Sequence, residues 1–279
     1  SGASISVSPT STTTYFVRAE GTCNNTTCAQ LTVTVNQLST AASGISGTTT
    51  ICEGTSTTLS VVGGTLGSGA NWQWYSGSCG GTAVGSGPSV TITPATNTDY
   101  YVRAVGTCNT TNCVFVTVTV NDTSEPASSV AGSPAICIGG NTNLSSVGGQ
   151  LGVGAGWNWY TGSCGGTIIG SGSPINVAPT ISTTYYLRAE GLCNTTVCTP
   201  FTVNVNPLPN GSMSGSVTLC SGFDTTLTFN FNVGTAPFDV VYTDGTNVFS
   251  KTGVNSGDTI NELVASTTTY TISQITDAN

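Results

Sequence analysis

Apolar and polar residues alternate with a period of two over residues 57–62, 71–75, 89–93, 99–105 and 114–120. That period places successive side chains on opposite faces of an extended chain and predicts β-strands buried on one side. The runs are rich in Val, Thr, Ile and Tyr. Between them lie stretches such as Gly63-Gly64-Thr65-Leu66-Gly67 and Gly80-Gly81-Thr82, which suit turns that need positive φ. No stretch has helical period. Five to seven short strands, with turn signals between them, predict an all-β fold of two packed sheets rather than a barrel or propeller.

The pattern recurs. Setting Ser1 opposite Ser86 brings 20 identities into 37 aligned positions, far above chance, and so defines a repeat of 85 residues. The same offset carries Cys52, Cys79, Cys108 and Cys113 onto Cys137, Cys164, Cys193 and Cys198. Each copy closes on Val-x-Val-Asn and a short polar connector. Residues 1–37 then read as the C-terminal half of a first repeat, 38–122 and 123–207 as complete repeats, and 208–279 as a divergent one that stops before its last strand. The chain is therefore expected to be an excerpt of a longer polypeptide. Its short connectors contain proline (Glu125-Pro126, Pro207-Leu208-Pro209), which predicts semi-stiff joints and an extended train of domains.

Composition narrows the chemistry. Histidine is absent, which removes the commonest general base and a leading metal ligand. The 11 cysteines suit cross-links in small domains with thin cores, and so an oxidising compartment. With 6% charged residues and a net charge of −8, a nucleic-acid partner is not expected. Paired carboxylates, a nucleophile with its base, a calcium loop and a phosphate-cradling loop are likewise missing, and no cofactor or enzymatic activity is expected. Four cysteines per repeat admit three pairings. The fourth repeat keeps Cys220, lacks a counterpart of Cys79 and places Ala278 where Cys108 would fall. This favours Cys52 with Cys113 and Cys79 with Cys108, and correspondingly Cys137 with Cys198 and Cys164 with Cys193. The competing arrangement staples Cys108 to Cys113 and leaves Cys52 to Cys79. The pairing of Cys23, Cys28 and Cys220 stays open.

Trp72 and Trp74, like Trp157 and Trp159, stand two apart on one strand and so share a face. A tryptophan packed between two sheets is a feature of immunoglobulin-like domains. An exposed platform for sugar rings is the other reading. Arg18, Arg103 and Arg188 occupy one repeat position, and alternation turns Tyr101 and Arg103 outward. If the strands of Tyr75 and Arg103 are neighbours, Gln73, Tyr75, Tyr101 and Arg103 form an exposed patch, repeated by Asn158, Tyr160, Tyr186 and Arg188. A cross-strand stabilising cluster and a ligand contact are both open readings of it. Asn25-Thr26-Thr27, Asn109-Thr110-Thr111 and Asn194-Thr195-Thr196 match the glycosylation triplet, a weak signal in so threonine-rich a chain.

Four features together resemble the immunoglobulin-like repeats of very large secreted Bacteroidota surface proteins, including gliding-motility adhesins and other cargo of the type IX secretion system. They are Ile51-Cys52-Glu53-Gly54; Trp-Tyr-(Ser/Thr)-Gly-Ser-Cys-Gly-Gly-Thr; residues 94–104; and the ending that runs from Tyr270-Thr271-Ile272 to Asp277-Ala278-Asn279. The resemblance implies tandem immunoglobulin-like sandwiches with intradomain disulfides, export to the cell surface, and a stalk or filament that projects a distal binding tip. The alternative it leaves is a spacer or carbohydrate-binding module of a secreted polysaccharide-degrading enzyme. Implied partners are other domains of the same chain, surface glycans or copies of itself, and the outer-membrane secretion or attachment machinery. The resemblance also implies O-glycosylation at Thr225 and Thr259, where Asp224-Thr225-Thr226 and Asp258-Thr259-Ile260 fit the acceptor pattern.

Overall fold

The computed structural model describes residues 2–215 and 217–279. It divides into two compact units, Ser1–Thr123 and Ser124–Asn279. All regular structure among the described residues is β.

In the first unit a hairpin of β1 (Thr13–Val17) and β2 (Ala29–Val33) precedes a two-sheet sandwich. The back sheet has the order β3 (Gly44–Ser46), β5 (Thr57–Val62), β8 (Ser89–Ile92). The front sheet has the order β4 (Thr50–Cys52), β10 (Val114–Asn121), β9 (Thr98–Val105), β6 (Asn71–Ser76), β7 (Thr82–Ser86). The N-terminal segment thus serves both sheets, since β3 pairs with β5 and β4 with β10. It changes sheet at Gly47, whose φ of +140° lies in the region that favours glycine and where a Cβ would stand 2.5 Å from the Thr58 carbonyl oxygen.

Alternation sends one face of each strand into the gap between the sheets. Leu59, Val90 and Ile92 meet Trp72, Trp74, Tyr100, Val102, Ala104 and Val118 there. Trp74 is fully buried, and its indole N–H donates to the Gly87 carbonyl at 2.9 Å, so the bulk that fills the core carries no unsatisfied donor.

In the second unit the same plan is rebuilt. The back sheet is β11 (Ser129–Ala131), β13 (Thr142–Val147), β16 (Ile175–Val177); the front sheet is β12 (Ala135–Cys137), β18 (Thr199–Asn206), β17 (Thr183–Glu190), β14 (Gly156–Thr161), β15 (Thr167–Ser171). Trp159 donates to Gly172 at 2.8 Å, the counterpart of the Trp74 bond. A further pair of sheets follows: β19 (Asn210–Ser214), β20 (Phe223–Val233), β23 (Thr259–Val264), and β22 (Val248–Val254), β21 (Phe238–Thr243), β24 (Thr271–Thr276). It has no Trp-x-Trp strand. Its core is aromatic instead, with Phe229 fully buried and Phe231 stacked on Phe238 at 4.1 Å between centroids.

Candidate functional site

The residues singled out in the sequence meet on the outer face of the front sheets. Register sets Gln73 opposite Arg103 and Tyr75 opposite Tyr101 on β6 and β9, and Tyr101 opposite Phe115 on β10. Tyr75, Tyr101 and Phe115 therefore form one row across three strands. Tyr101 stacks on the exposed ring of Phe115 at 5.4 Å, and the Arg103 guanidinium sits 5.1 Å from the Tyr75 ring centroid. In the second unit Tyr160, Tyr186 and Pro200 make the equivalent row, and Arg188 lies 4.8 Å from the Tyr160 ring.

The patch is less open than alternation alone suggests. Tyr75, Tyr101, Arg103, Tyr186 and Arg188 are half-buried, and Tyr160 is buried. The covering element is the loop after the Trp-x-Trp strand, which folds back over the arginine. Gly80 and Gly165 adopt positive φ, and a Cβ there would stand 3.1 Å from Arg103 Nη2 and 2.7 Å from Arg188 Nη1. Glycine at these positions lets the loop close on the guanidinium.

A carboxylate that sequence reasoning did not weigh completes the cluster in the second unit. Glu190, two residues after Arg188 on the same face, accepts from Arg188 Nε at 2.6 Å, Tyr160 Oη at 2.5 Å and Asn158 Nδ2 at 2.9 Å, and pairs with Arg188 Nη2. The Tyr160 bond, followed by those of Arg188 and Asn158, holds the Glu190 carboxyl below its usual range. Burial, reinforced by the bond to Glu190, pushes the Tyr160 phenol up. Glu20 pairs with Arg18 in the same way at 2.6 Å. In the 38–122 copy the position holds Val105, and Arg103 Nε is buried without a hydrogen-bond acceptor among the described residues. The signal was in the sequence: a Glu at the same offset after Arg in two of three copies.

The disulfides correct the expected pairing. Cys79 is bonded to Cys113 and Cys164 to Cys198, with Cα–Cα distances of 5.9 and 5.8 Å. Cys113 and Cys198 are thus not bonded to Cys52 and Cys137, nor Cys79 and Cys164 to Cys108 and Cys193. The reason is strand register. Cys52 lies beside Asn121 at the C-terminal end of β10, whereas Cys113 immediately precedes that strand. Eight residues at ~3.3 Å each separate them by roughly 25 Å, and a disulfide needs Cα atoms within about 7 Å. Cys137 lies beside Asn206 and is equally far from Cys198. The loop that folds over Arg103 is what carries Cys79 to Cys113, across the intervening strands. Cys108 and Cys137, expected in disulfides, are exposed thiols, as are Cys23, Cys28 and Cys220.

The paired tryptophans face the core, so they offer no platform to sugars. Thr225 is buried on β20, with its hydroxyl directed at the Gly215 carbonyl, which removes it as a glycosylation acceptor on the folded chain. Thr259 is exposed. Asn109 and Asn194 have another role. The Asn109 side chain accepts from Ser39 N–H and donates to Ser39 C=O, both at 2.9 Å, and Asn194 does the same to Ser124 at 2.8 Å. Each amide pins the start of its repeat to its Cys-Asn-Thr-Thr hairpin. The threonine two positions on, Thr111 or Thr196, accepts from the N–H of Ala104 or Ala189 at 3.0 Å.

Two immunoglobulin-like β-sandwiches built to one plan define the class. The chain belongs to the family described as "Ig-like domain CHU_C associated", which matches residues 40–121 and 125–207, more than half of the sequence. This domain type is found in Bacteroidota surface proteins. A search of curated proteins finds no match. Among solved structures the chain is similar to the three N-terminal domains of the bacteriophage RB49 outer capsid protein Hoc, with 11% identity over 83% of this chain and 89% of that one and a TM-score of 0.37. It is similar also to the Sidekick-1 immunoglobulin domains 1–5, with 13% identity over 93% and 62% and a TM-score of 0.41. Murine CEACAM1b shows 12% identity over 57% and 100%, with a TM-score of 0.36.

Proposed function

We propose that this chain is repeat structure in a large extracellular protein, the stalk region of a cell-surface adhesin or filament that projects a distal binding tip. The observation that supports this most is repetition without divergence of the scaffold. The tryptophan–glycine bond, the asparagine clip, the glycine-closed loop over arginine and its disulfide all recur at an offset of 85 residues in both matched copies. Selection for a ligand site in one copy would leave one copy special; selection for spacing and durability leaves copies alike. Disulfides fit an oxidising environment, and with the family match they support secretion to the cell surface. The type IX route, a gliding role and O-glycosylation at Thr259 belong to this reading, with copies of the chain, surface glycans and the outer-membrane machinery as partners.

The test uses antibodies raised against residues 38–207, applied to intact and to lysed cells of the source organism. Labelling of intact cells, with density extending from the envelope in electron micrographs, is the expected result. Labelling that requires lysis would overturn the proposal.

A further inference from the structure

In the second matched repeat three side chains converge on one carboxylate. Tyr160 Oη, Asn158 Nδ2 and the Nε–Nη2 edge of Arg188 all donate to Glu190, whose side chain keeps 30% of its surface open to solvent. This is a carboxylate slot on the outer face of the front sheet, with its occupant built in. The planar arginine edge is the strongest part of it, because charge-assisted bonds are about twice as strong as neutral ones.

The first matched repeat keeps the donors and lacks the occupant. Tyr75, Gln73 and Arg103 hold the equivalent positions, with Gln73 opposite Arg103 in register and the guanidinium on the Tyr75 ring, but Val105 stands in the place of Glu190. Among the described residues Arg103 Nε has no acceptor, and the guanidinium's one hydrogen-bonding neighbour is Cys79 Sγ at 4.0 Å. The side chains of Gln73 and Tyr75 likewise donate to no described residue. A second change accompanies the first. In the row across the strands that begins with Tyr75, the exposed ring of Phe115 stands where the copy with the filled slot has Pro200.

We propose that the slot at Arg103 binds a carboxylate from outside the chain, the uronate of an acidic glycan. Arg103, Gln73 and Tyr75 hold it as their counterparts hold Glu190, and Phe115 packs against the adjoining sugar. Phe115 decides the source of the carboxylate. A peptide carboxylate needs no exposed aromatic ring beside it, whereas a sugar ring has a face of C–H groups that packs on the electron-rich face of an arene. The attraction is local, since a net charge of −8 opposes anions at long range and physiological salt screens beyond about 8 Å. This gives a ligand class to a repeat that the stalk reading treats as a spacer, and it rests on that reading only in taking surface glycans as partners.

Calorimetric titration of the full chain at about 0.15 M salt tests it, with tetragalacturonate, its methyl ester and polyglutamate as ligands. A single tetragalacturonate per chain is expected, because Arg18 and Arg188 are already paired with Glu20 and Glu190, and the uncharged ester should not bind. Val105→Glu supplies the occupant that the other copies carry and is expected to weaken binding at least about tenfold. Should that variant fail to fold, Tyr75→Phe keeps the ring under the guanidinium, removes one donor and is expected to weaken binding severalfold. Phe115→Ala is expected to do the same. Absence of tetragalacturonate binding, or binding indifferent to both Val105→Glu and Tyr75→Phe, would overturn the slot. Polyglutamate held as tightly as tetragalacturonate would overturn the glycan and assign the slot to an acidic peptide. Cells that carry the protein only internally would refute the stalk and leave these titrations as they are.

Discussion

Arg103 and Arg188 hold one position in two copies of one scaffold, and a single neighbour separates their circumstances. Glu190 gives Arg188 an acceptor at Nε; Val105 leaves Arg103 Nε buried without one. A buried donor without a partner costs about 1–3 kcal/mol. Val105→Glu is therefore expected to stabilise its repeat by roughly 1 kcal/mol, seen as a higher denaturant midpoint of the full chain, because Glu20 and Glu190 show that the site accepts the side chain. The pH dependence follows from the direction of the Glu190 shift. A carboxyl held below its usual range adds stability above its unfolded pKa and loses it as pH falls through its folded one. Wild-type chain should thus lose stability on acidification below about pH 4.5, and Glu190→Gln should show a shallower decline in urea melts across that range. Asn194→Ala removes both bonds to Ser124 and is expected to cost about 1–3 kcal/mol in the same melts, whereas an asparagine that merely carried a glycan would cost nothing.

The strands with a clean period of two were legible: β5, β6, β8, β9 and β10 fall where alternation puts them. So was the inward face of the Trp-x-Trp strand. The N-terminal segment was not, because β3 and β4 are three residues each, too short for a period to register, and the switch between sheets turns on Gly47. The cysteine pairing depended on that missing strand. Only with β4 placed beside the end of β10 does Cys52 prove remote from Cys113. The Asn109 and Asn194 clips were hidden for a related reason, since each joins residues 70 apart that no local pattern connects. The closed loop of sequence separation 34 should contribute roughly 3–4 kcal/mol through lost freedom of the unfolded chain. Cys79→Ser with Cys113→Ser is expected to lower the stability of its repeat by that order in calorimetry or denaturant melts, and a loss near zero would show the bond to be incidental.

Across the chain, the matched family copies keep one set of internal bonds while their surfaces vary. Phe115 becomes Pro200, Val105 becomes Glu190, and the tip of the hairpin changes at Asn112 and Val197. That distribution suits a scaffold whose interior is fixed by packing and whose exterior is free to drift. The divergent copy after residue 207 keeps two sheets but replaces the tryptophan core with Phe229, Phe238 and Tyr242, so the architecture tolerates a different filling. Central to the account is that a disulfide ties the loop after each Trp-x-Trp strand to the start of the last strand. Mass spectrometry of peptides from a non-reduced digest measures this directly. A cross-linked pair containing Cys79 and Cys113, with a second containing Cys164 and Cys198, is the predicted result; Cys113 recovered with Cys52 or Cys108, or as a free thiol, would contradict it.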